Sequence, residues 1–169
     1  MTYDHWTIAQ GRQLILDNRE NGIKCPCCSR LAKVYRNPIN SSMVLVLISM
    51  RNYYRSTNDY RHMHVPSFIN SLQFSDSVKA AIRGHWPKLR YWGLLVEKAE
   101  SKDDGNPRAG FWCITQPGLD FAEGKTKLPA AAFVYQKECL GFDTSKWITI
   151  QDALKKKFNY TELMSSIGS

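Results

Sequence analysis

The first apolar and polar pattern in the chain is that of an amphipathic helix. Apolar side chains between residues 7 and 20 recur at positions that share one helical face. Thr7 and Gln10 stand three residues apart at its start, the spacing of a capping box. Asn21 and Gly22 follow, and such residues commonly end a helix. The pattern predicts a helix over residues 7–20.

The second apolar segment, residues 42–54, is apolar almost all round. Asn40 and Ser41 precede it and are typical of a helix N-cap. We therefore expect this segment to be a helix and the central buried element. Its β-branched residues leave a strand as the alternative.

Further helices are expected after residue 64. Pro66 stands where the first turn of a helix accepts proline. The following residues extend that helix or form a second one, and Gly84 ends it. Pro87 cannot lie deep in a helix, so it predicts a fresh, short helix that ends at Gly93.

Two strands and a short helix follow. Residues 94–98 have the composition of a strand, residues 101–110 form a polar loop, and residues 111–115 form the returning strand. A turn at residues 116–118 leads into a short helix that Gly124 ends.

The last third predicts a strand or hairpin around Gln136 and Lys137, and then a short helix capped by Thr149. Three lysines, 155–157, stand at the C-terminal end of that helix, where cations complement the helix dipole. That role explains the triplet without a nucleic-acid partner.

The order helix, turn, short helix, strand, polar loop, strand, helix resembles a winged helix-turn-helix domain. Residues 88–97, KLRYWGLLVE, are similar to the end of a recognition helix that runs into the first wing strand. Residues 111–121, FWCITQPGLDF, are similar to the second wing strand and the threonine-x-x-glycine step that follows it. The likeness spans residues 64–124.

This resemblance implies an α+β fold, mainly helical, with a winged helix-turn-helix core. We expect a single domain over residues 1–169. It would hold N-terminal helices and a CPCC turn in residues 1–63, the winged-helix unit in 64–124, and a hairpin and helix extension in 125–169.

The whole chain also resembles a set of uncharacterised bacteriophage and prophage proteins. The likeness rests on the succession CPCC, NSSM, HVP, KLRYWGL and FNYTELM. It implies a phage origin and a bacterial host cell. It does not indicate a particular activity.

The formal net charge of +8 favours a polyanionic partner, of which nucleic acid is the commonest. The N-terminus has neither a basic region nor an apolar run of the secretory type, and the longest apolar run, residues 43–50, is too short to span a membrane. We expect a cytoplasmic protein without a membrane partner.

If the winged-helix resemblance holds, duplex DNA would be bound by the short helix and the wing. Helical side chains would reach base edges and wing cations would contact phosphates. The expected contacts are Arg83, His85, Lys88, Arg90, Tyr91, Lys98, Lys102 and Arg108. A homodimer is expected to strengthen binding. The alternative is a protein–protein adaptor, or an inhibitor of a host protein, built on the same scaffold.

The segment Cys25-Pro-Cys-Cys28 has the C-x2-C spacing of a zinc knuckle. A structural zinc ion needs four ligands, and the H-x-H pair His62 and His64 comes next in the sequence. The favoured hypothesis is free cysteines buried at a tight turn, because free cysteine is commonly interior. The alternative is structural zinc held by Cys25, Cys28, His62 and His64, with Cys27, Cys113 and Cys139 as other candidate ligands. A reactive thiol is the least favoured hypothesis.

No catalytic constellation is visible in the sequence. It holds no phosphate-binding glycine loop, no G-x-S-x-G and no H-E-x-x-H. Neighbouring carboxylates such as Asp103 and Asp104 fit a solvated loop. We therefore expect a non-catalytic, regulatory DNA-binding protein.

Overall fold

A computed structural model describes residues 5–98 and 110–165 of the chain. The first half holds α1 (Ile8–Asn18), β1 (Ile23–Lys24), β2 (Leu31–Ala32), β3 (Tyr35–Pro38), α2 (Ser41–Thr57), β4 (Met63–His64), α3 (Val65–Ser71), α4 (Asp76–Arg83) and a 3-10 helix, Trp86–Trp92. The second half holds β5 (Leu95–Glu97), β6 (Phe111–Ile114), α5 (Gln116–Ala122), β7 (Leu128–Tyr135), β8 (Glu138–Ile148), α6 (Ile150–Leu154), a 3-10 turn (Lys155–Lys157) and α7 (Tyr160–Ser165). More residues lie in helices than in strands, which confirms the prediction of a mainly helical α+β fold.

The chain forms two compact units. The first comprises Met1–Asn37 with Ala131–Asp143, and the second comprises Pro38–Ala130 with Thr144–Ser169. The segment expected to form the winged-helix unit, residues 64–124, falls entirely in the second. The single domain over residues 1–169 stays a prediction.

In the first unit, α1 begins as its sequence predicts. The hydroxyl of Thr7 accepts a hydrogen bond from the Gln10 backbone, and the Gln10 side chain accepts one from the Thr7 backbone. Strands β1 and β2 pair antiparallel, with Ile23 opposite Ala32. Their connection is the CPCC segment, so the cysteines lie at the tip of a small hairpin.

In the second unit, α2 is the central buried element. Asn40 caps it, since the Asn40 side-chain oxygen accepts a hydrogen bond of 3.0 Å from the backbone N–H of Met43. Residues 43–48 are all buried, as are Met50 and Tyr54 further along the helix. The helix prediction is confirmed and the strand alternative is wrong, because residues 41–57 form an α-helix capped by Asn40.

A three-stranded sheet lies beside this helix core in the order β4-β6-β5. Strand β6 is the middle strand, with Met63 of β4 opposite Trp112 and Leu95 of β5 opposite Ile114. Both pairings are antiparallel. The predicted return of the chain from residues 94–98 to residues 111–115 is therefore confirmed, and β4 is an addition that the sequence pattern did not reveal.

A second sheet has the order β3-β7-β8. Strands β7 and β8 are joined by Gln136 and Lys137, whose φ angles are 48° and 68°. Two successive positive φ angles are those of a type I′ hairpin turn. The hairpin predicted around these two residues is confirmed.

The C-terminal helices are held to the second unit by polar contacts. Thr149 and Asp152 form a capping box at the start of α6, as Thr149 predicts. Further on, the Tyr160 hydroxyl donates to the backbone oxygen of Ala122 at 2.8 Å, and the Asn52 side chain donates to that of Leu163 at 2.6 Å. Across residues 5–98 and 110–165, no helix has the length and apolar character needed to cross a membrane.

Candidate nucleic-acid interface and cysteine loop

The short helix predicted after Pro87 is a 3-10 helix rather than an α-helix. Trp86, Leu89 and Trp92 are buried on one face, at the three-residue spacing at which 3-10 side chains align. The indole N–H of Trp92 donates to the backbone oxygen of Pro129 at 3.0 Å. Gly93 ends the helix with a φ of 68°, a left-handed conformation that glycine adopts without strain. Both tryptophans therefore belong to the core.

The other residues of this segment are accessible to solvent. His85 and Arg90 are exposed, whereas Lys88 and Tyr91 are partly exposed. The guanidinium carbon of Arg90 lies 5.3 Å from the centre of the Tyr91 ring, within cation–π range. The 3-10 helix therefore buries its apolar residues and presents a mixed basic and aromatic surface.

Helix α4 precedes this segment and carries two cations fixed by one residue of α3. The ammonium of Lys79 donates to the backbone oxygen of Asn70 at 2.9 Å. The guanidinium of Arg83 donates to the Asn70 side-chain oxygen at 2.8 Å. These bonds link α3 to α4 and hold Arg83 in place while it remains exposed.

The predicted wing is described as far as its two strands. The backbone N–H of Lys98 donates to the carbonyl of Phe111 at 2.9 Å. The hydrogen bonding between β5 and β6 therefore continues one residue beyond the end of β5. Lys102, Arg108 and the predicted tip of the wing lie outside the described residues.

A sharp step connects the second wing strand to α5. The Thr115 hydroxyl accepts a hydrogen bond of 3.1 Å from the backbone N–H of Gly118 and donates to the carbonyl of Gly93. A side chain on Gly118 would overlap the carbonyl oxygen of Leu94. The predicted threonine-x-x-glycine step thus has a steric basis, because only glycine leaves room for that backbone.

An ion cluster that the sequence gave no reason to expect surrounds Glu123. Its carboxylate accepts from Arg51 at 3.1 Å, from Arg55 at 2.8 Å and from Lys125 at 2.6 Å. Burial alone raises the pKa of Glu123, but the hydrogen bonds from Lys125, Arg55 and Arg51 outweigh it and hold that pKa at about 2. Arg51 and Arg55 come from α2, 72 and 68 residues before Glu123 in the chain, so no local sequence spacing predicts their contact with it.

A groove of about 400 Å³ lies between α2, α3, the α3–α4 turn and α7. Its walls combine aromatic, aliphatic and small polar side chains. They are Ile48, Ser49, Asn52, Tyr53, Ser56, Phe68, Ser71, Leu72, Gln73, Phe74 and Leu163. This mixture suits a protein segment or a small amphipathic ligand better than a phosphate backbone, because the lining carries no formal charge.

The cysteine loop is a closed and accessible turn. The backbone N–H of Cys25 donates to the carbonyl of Arg30 at 2.8 Å, and that of Ser29 donates to the carbonyl of Cys25 at 2.9 Å. Cys27 and Cys28 are exposed and Cys25 is partly exposed. The hypothesis that these are buried free cysteines is therefore wrong, because the hairpin tip leaves their side chains open to solvent.

The electrostatics of Cys25 differ from those of an ordinary thiol. Its pKa is lowered because the backbone N–H groups of Cys28 and then Cys27 donate to its sulfur, and their thiols add to the effect. A thiolate that accepts backbone N–H groups two and three residues ahead is the arrangement expected of a metal-binding knuckle.

The histidines expected to complete the zinc site lie in the second unit. His62 is exposed, and Nδ1 of His64 lies 2.6 Å from the Ser67 hydroxyl. Within residues 5–98 and 110–165, no three His, Cys, Asp or Glu side chains are grouped as metal ligands. Structural zinc held by Cys25, Cys28, His62 and His64 therefore stays a prediction that rests on the knuckle.

Comparison of the chain with models of protein families, with curated proteins and with solved structures found no match in any of the three.

Proposed function

We propose that this protein is a non-catalytic, phage-type regulator that binds duplex DNA through a winged helix-turn-helix unit. The unit comprises α2, β4, α3, α4, the 3-10 helix and the wing strands β5 and β6. The observation that carries the proposal is the sheet order β4-β6-β5.

The topology supports this assignment. In a winged helix, one helix is followed by a short strand, two helices and a hairpin whose second strand pairs with the short strand. Here β4 follows α2, the pair α3 and α4 comes next, and β6 is the middle strand between β4 and β5. Because fold alone does not define function, the proposal of DNA binding also depends on the charge of the exposed face.

The exposed side chains of this unit suit a phosphate backbone. Arg83, His85 and Arg90 are exposed, and Lys88 and Lys98 are partly exposed. Arg90 is paired with Tyr91, whose ring could also lie against a sugar or base. These side chains begin at the end of α4 and extend along the 3-10 helix toward the wing. We therefore assign duplex contact to α4, the 3-10 helix and the wing.

The direct test is binding to a short labelled DNA duplex, followed by fluorescence anisotropy over a series of salt concentrations. The affinity should fall steeply as salt rises, because bound cations release condensed counterions. The double variant Lys88→Glu, Arg90→Glu should weaken binding and lower the slope of log affinity against log salt by about 2. Absence of binding at low salt would overturn the proposal.

A matched control carries the same charge change elsewhere. Lys33 and Lys156 are exposed and lie outside the winged unit. The variant Lys33→Glu, Lys156→Glu should lower affinity only through net charge and leave most of the salt slope. Equal losses in the two double variants would show that binding depends on overall charge and not on this surface.

The groove beside α2 and α3 favours a second function, an adaptor or inhibitor that binds a host protein. Tyr53 is 37 % exposed and its ring lies 5.7 Å from that of Phe68, so aromatic surface is available there. The test is capture of partners from nuclease-treated bacterial lysate with wild type and Phe68→Ser. A stoichiometric partner lost in the variant, together with no DNA binding by wild type, would establish this function instead.

A further inference from the structure

We infer that Asn70 is a positioning residue for DNA binding. Its side chain holds Arg83 in the orientation in which the guanidinium contacts a DNA phosphate, and because that side chain is neutral, Arg83 keeps its positive charge for the contact. The inference rests on the proposed function, since it assigns a role within the same DNA-binding unit. Asn70 acts through Arg83 and is not itself assigned a contact with the duplex.

Asn70 accepts two hydrogen bonds from one side of α4. Its backbone oxygen accepts from the Lys79 ammonium at 2.9 Å, and its side-chain oxygen accepts from the Arg83 guanidinium at 2.8 Å. Lys79 and Arg83 are four residues apart in α4, so they lie on the same side of that helix. The backbone oxygen belongs to the last turn of α3, where carbonyl groups have no partner within the helix. The backbone of Asn70 therefore links α3 to α4, whereas its side chain fixes Arg83.

The guanidinium of Arg83 is accessible to a duplex. Arg83 is exposed, and so are the small residues beside it, Ala80, Ala81 and Gly84, which leave room for the approach of a phosphate. The bond to Asn70 uses one N–H group of the guanidinium, and the bond itself leaves the others for phosphate oxygens. The planar guanidinium matches a phosphate with two parallel hydrogen bonds, so a fixed orientation favours that contact.

The acceptor that holds Arg83 is an amide oxygen and not a carboxylate. A carboxylate at this position would form an ion pair with Arg83 and offset the charge that attracts phosphate. The same unit holds Arg51 and Arg55 in that other way, because both are paired with the Glu123 carboxylate. The neutral amide of Asn70 orients its arginine and leaves the charge uncompensated by that bond.

The test measures duplex affinity by fluorescence anisotropy over a series of salt concentrations, with wild type and two variants of residue 70. Asn70→Ala releases the guanidinium but keeps its charge and the backbone oxygen that accepts from Lys79. Its affinity should fall by about two- to tenfold, the cost of ordering one long side chain on binding, and the slope of log affinity against log salt should not change.

Asn70→Asp keeps an acceptor for Arg83 but offsets its charge. Its affinity should fall by about tenfold, and the slope of log affinity against log salt should drop by about 1, the value expected for one lost phosphate contact. Gln73→Glu is the matched control, because it makes the same amide-to-carboxylate change at another exposed residue of this unit. It should lower affinity less and keep the wild-type slope.

A double-mutant cycle separates positioning from a purely structural role. The effect of Asn70→Ala on affinity should disappear when Arg83 is already alanine, because Asn70 acts through that side chain. An equal loss in both backgrounds would assign Asn70 to packing of α3 against α4 and overturn the inference.

The inference and the proposed function fail in different ways. Wild-type affinity in Asn70→Ala, a wild-type salt slope in Asn70→Asp, or equal losses in Asn70→Asp and Gln73→Glu would overturn the inference and leave the proposed function in place. A wild-type protein that does not bind duplex DNA at low salt would overturn both.

Discussion

At Gly118, an added Cβ would overlap the carbonyl oxygen of Leu94 and lie 2.8 Å from the Cγ1 atom of Ile114. The Leu94 oxygen cannot withdraw freely, because it accepts a hydrogen bond from the Thr115 backbone at 3.1 Å. Because glycine has no Cβ, the backbone at Gly118 can lie against Leu94 where β6 leads into α5.

We expect Gly118→Ala to lower the free energy of unfolding by about 1–3 kcal/mol, as overpacking does in a tight core. Gly84→Ala is the control, since nothing lies within 4 Å of its added Cβ and its φ of −93° is ordinary. Urea denaturation of both variants checks this. A Gly118→Ala protein as stable as Gly84→Ala would show that the step can relax.

The contribution of Glu123 to the stability of the folded protein should depend on pH. Its folded pKa of about 2 lies below the unfolded value of 4.5, so its stabilisation is fully present above pH 4.5. It is lost as pH falls toward 2. At neutral pH, Glu123→Gln should lower the free energy of unfolding by on the order of 3 kcal/mol, because Arg51, Arg55 and Lys125 each lose the ion pair with this carboxylate.

The difference in unfolding free energy between wild type and Glu123→Gln should shrink steadily between about pH 5 and pH 2. Denaturation of both proteins across that range measures it. A difference that stays constant with pH would mean that the carboxylate does not titrate in this range. Asp120→Asn serves as the control, because Asp120 lies 3.9 Å from the Lys125 ammonium and is more exposed than Glu123.

Among the elements, those bounded by local signals could be predicted from the sequence. The cap at Thr7, the cap at Asn40 and the turn at Gln136 each act within a few residues, so a short stretch of sequence contains all the information. The pairing of β4 with β6 joins residues far apart in the chain and has no local signature. Burial of the cysteine loop was predicted wrongly because composition indicates that cysteine is often interior, not whether a core lies behind a given turn.

In the candidate DNA site, too, some features follow from local sequence and others depend on packing between elements. The large apolar side chains of Trp86 and Trp92 indicate the core and the charge of Arg90 indicates the surface, and both hold in the structure. The bond between Arg83 and Asn70 depends on how α3 and α4 pack, which the sequence does not encode locally. The ion cluster around Glu123 also depends on packing between elements that are distant in the sequence, so the sequence does not predict it.

Helix α2 permits a test at the scale of one element. Asn40→Ala removes the oxygen that accepts the Met43 N–H and should lower the free energy of unfolding by about 0.5–2 kcal/mol. Asn40→Asp keeps an acceptor there and should be nearly neutral. Thermal and chemical denaturation compare the two. Equal losses would show that the asparagine acts through something other than its side-chain oxygen.

For the whole molecule, the distribution of buried residues predicts unequal stability. The described residues that are buried in the first unit are Gly11, Ala131, Ala132 and Val134, whereas the second unit holds the rest of the core. Regions with few buried apolar contacts open at lower free energy.

We therefore expect amide hydrogens of α1 to exchange at least about tenfold faster than those of α2, measured by hydrogen–deuterium exchange. Amides of the second sheet provide an internal reference, since β7 belongs partly to each unit. Equal protection of α1 and α2 would show that the two units open together.

The 3-10 helix restricts how the length of this segment can change. Trp86, Leu89 and Trp92 align because the helix repeats every three residues. Insertion of a single residue directly after Trp86 would rotate everything beyond it by a third of a turn and carry Lys88 into the position where Leu89 is buried. Insertion of three residues would restore the alignment and only lengthen the helix. Homologous chains that differ in length here should therefore differ by multiples of three.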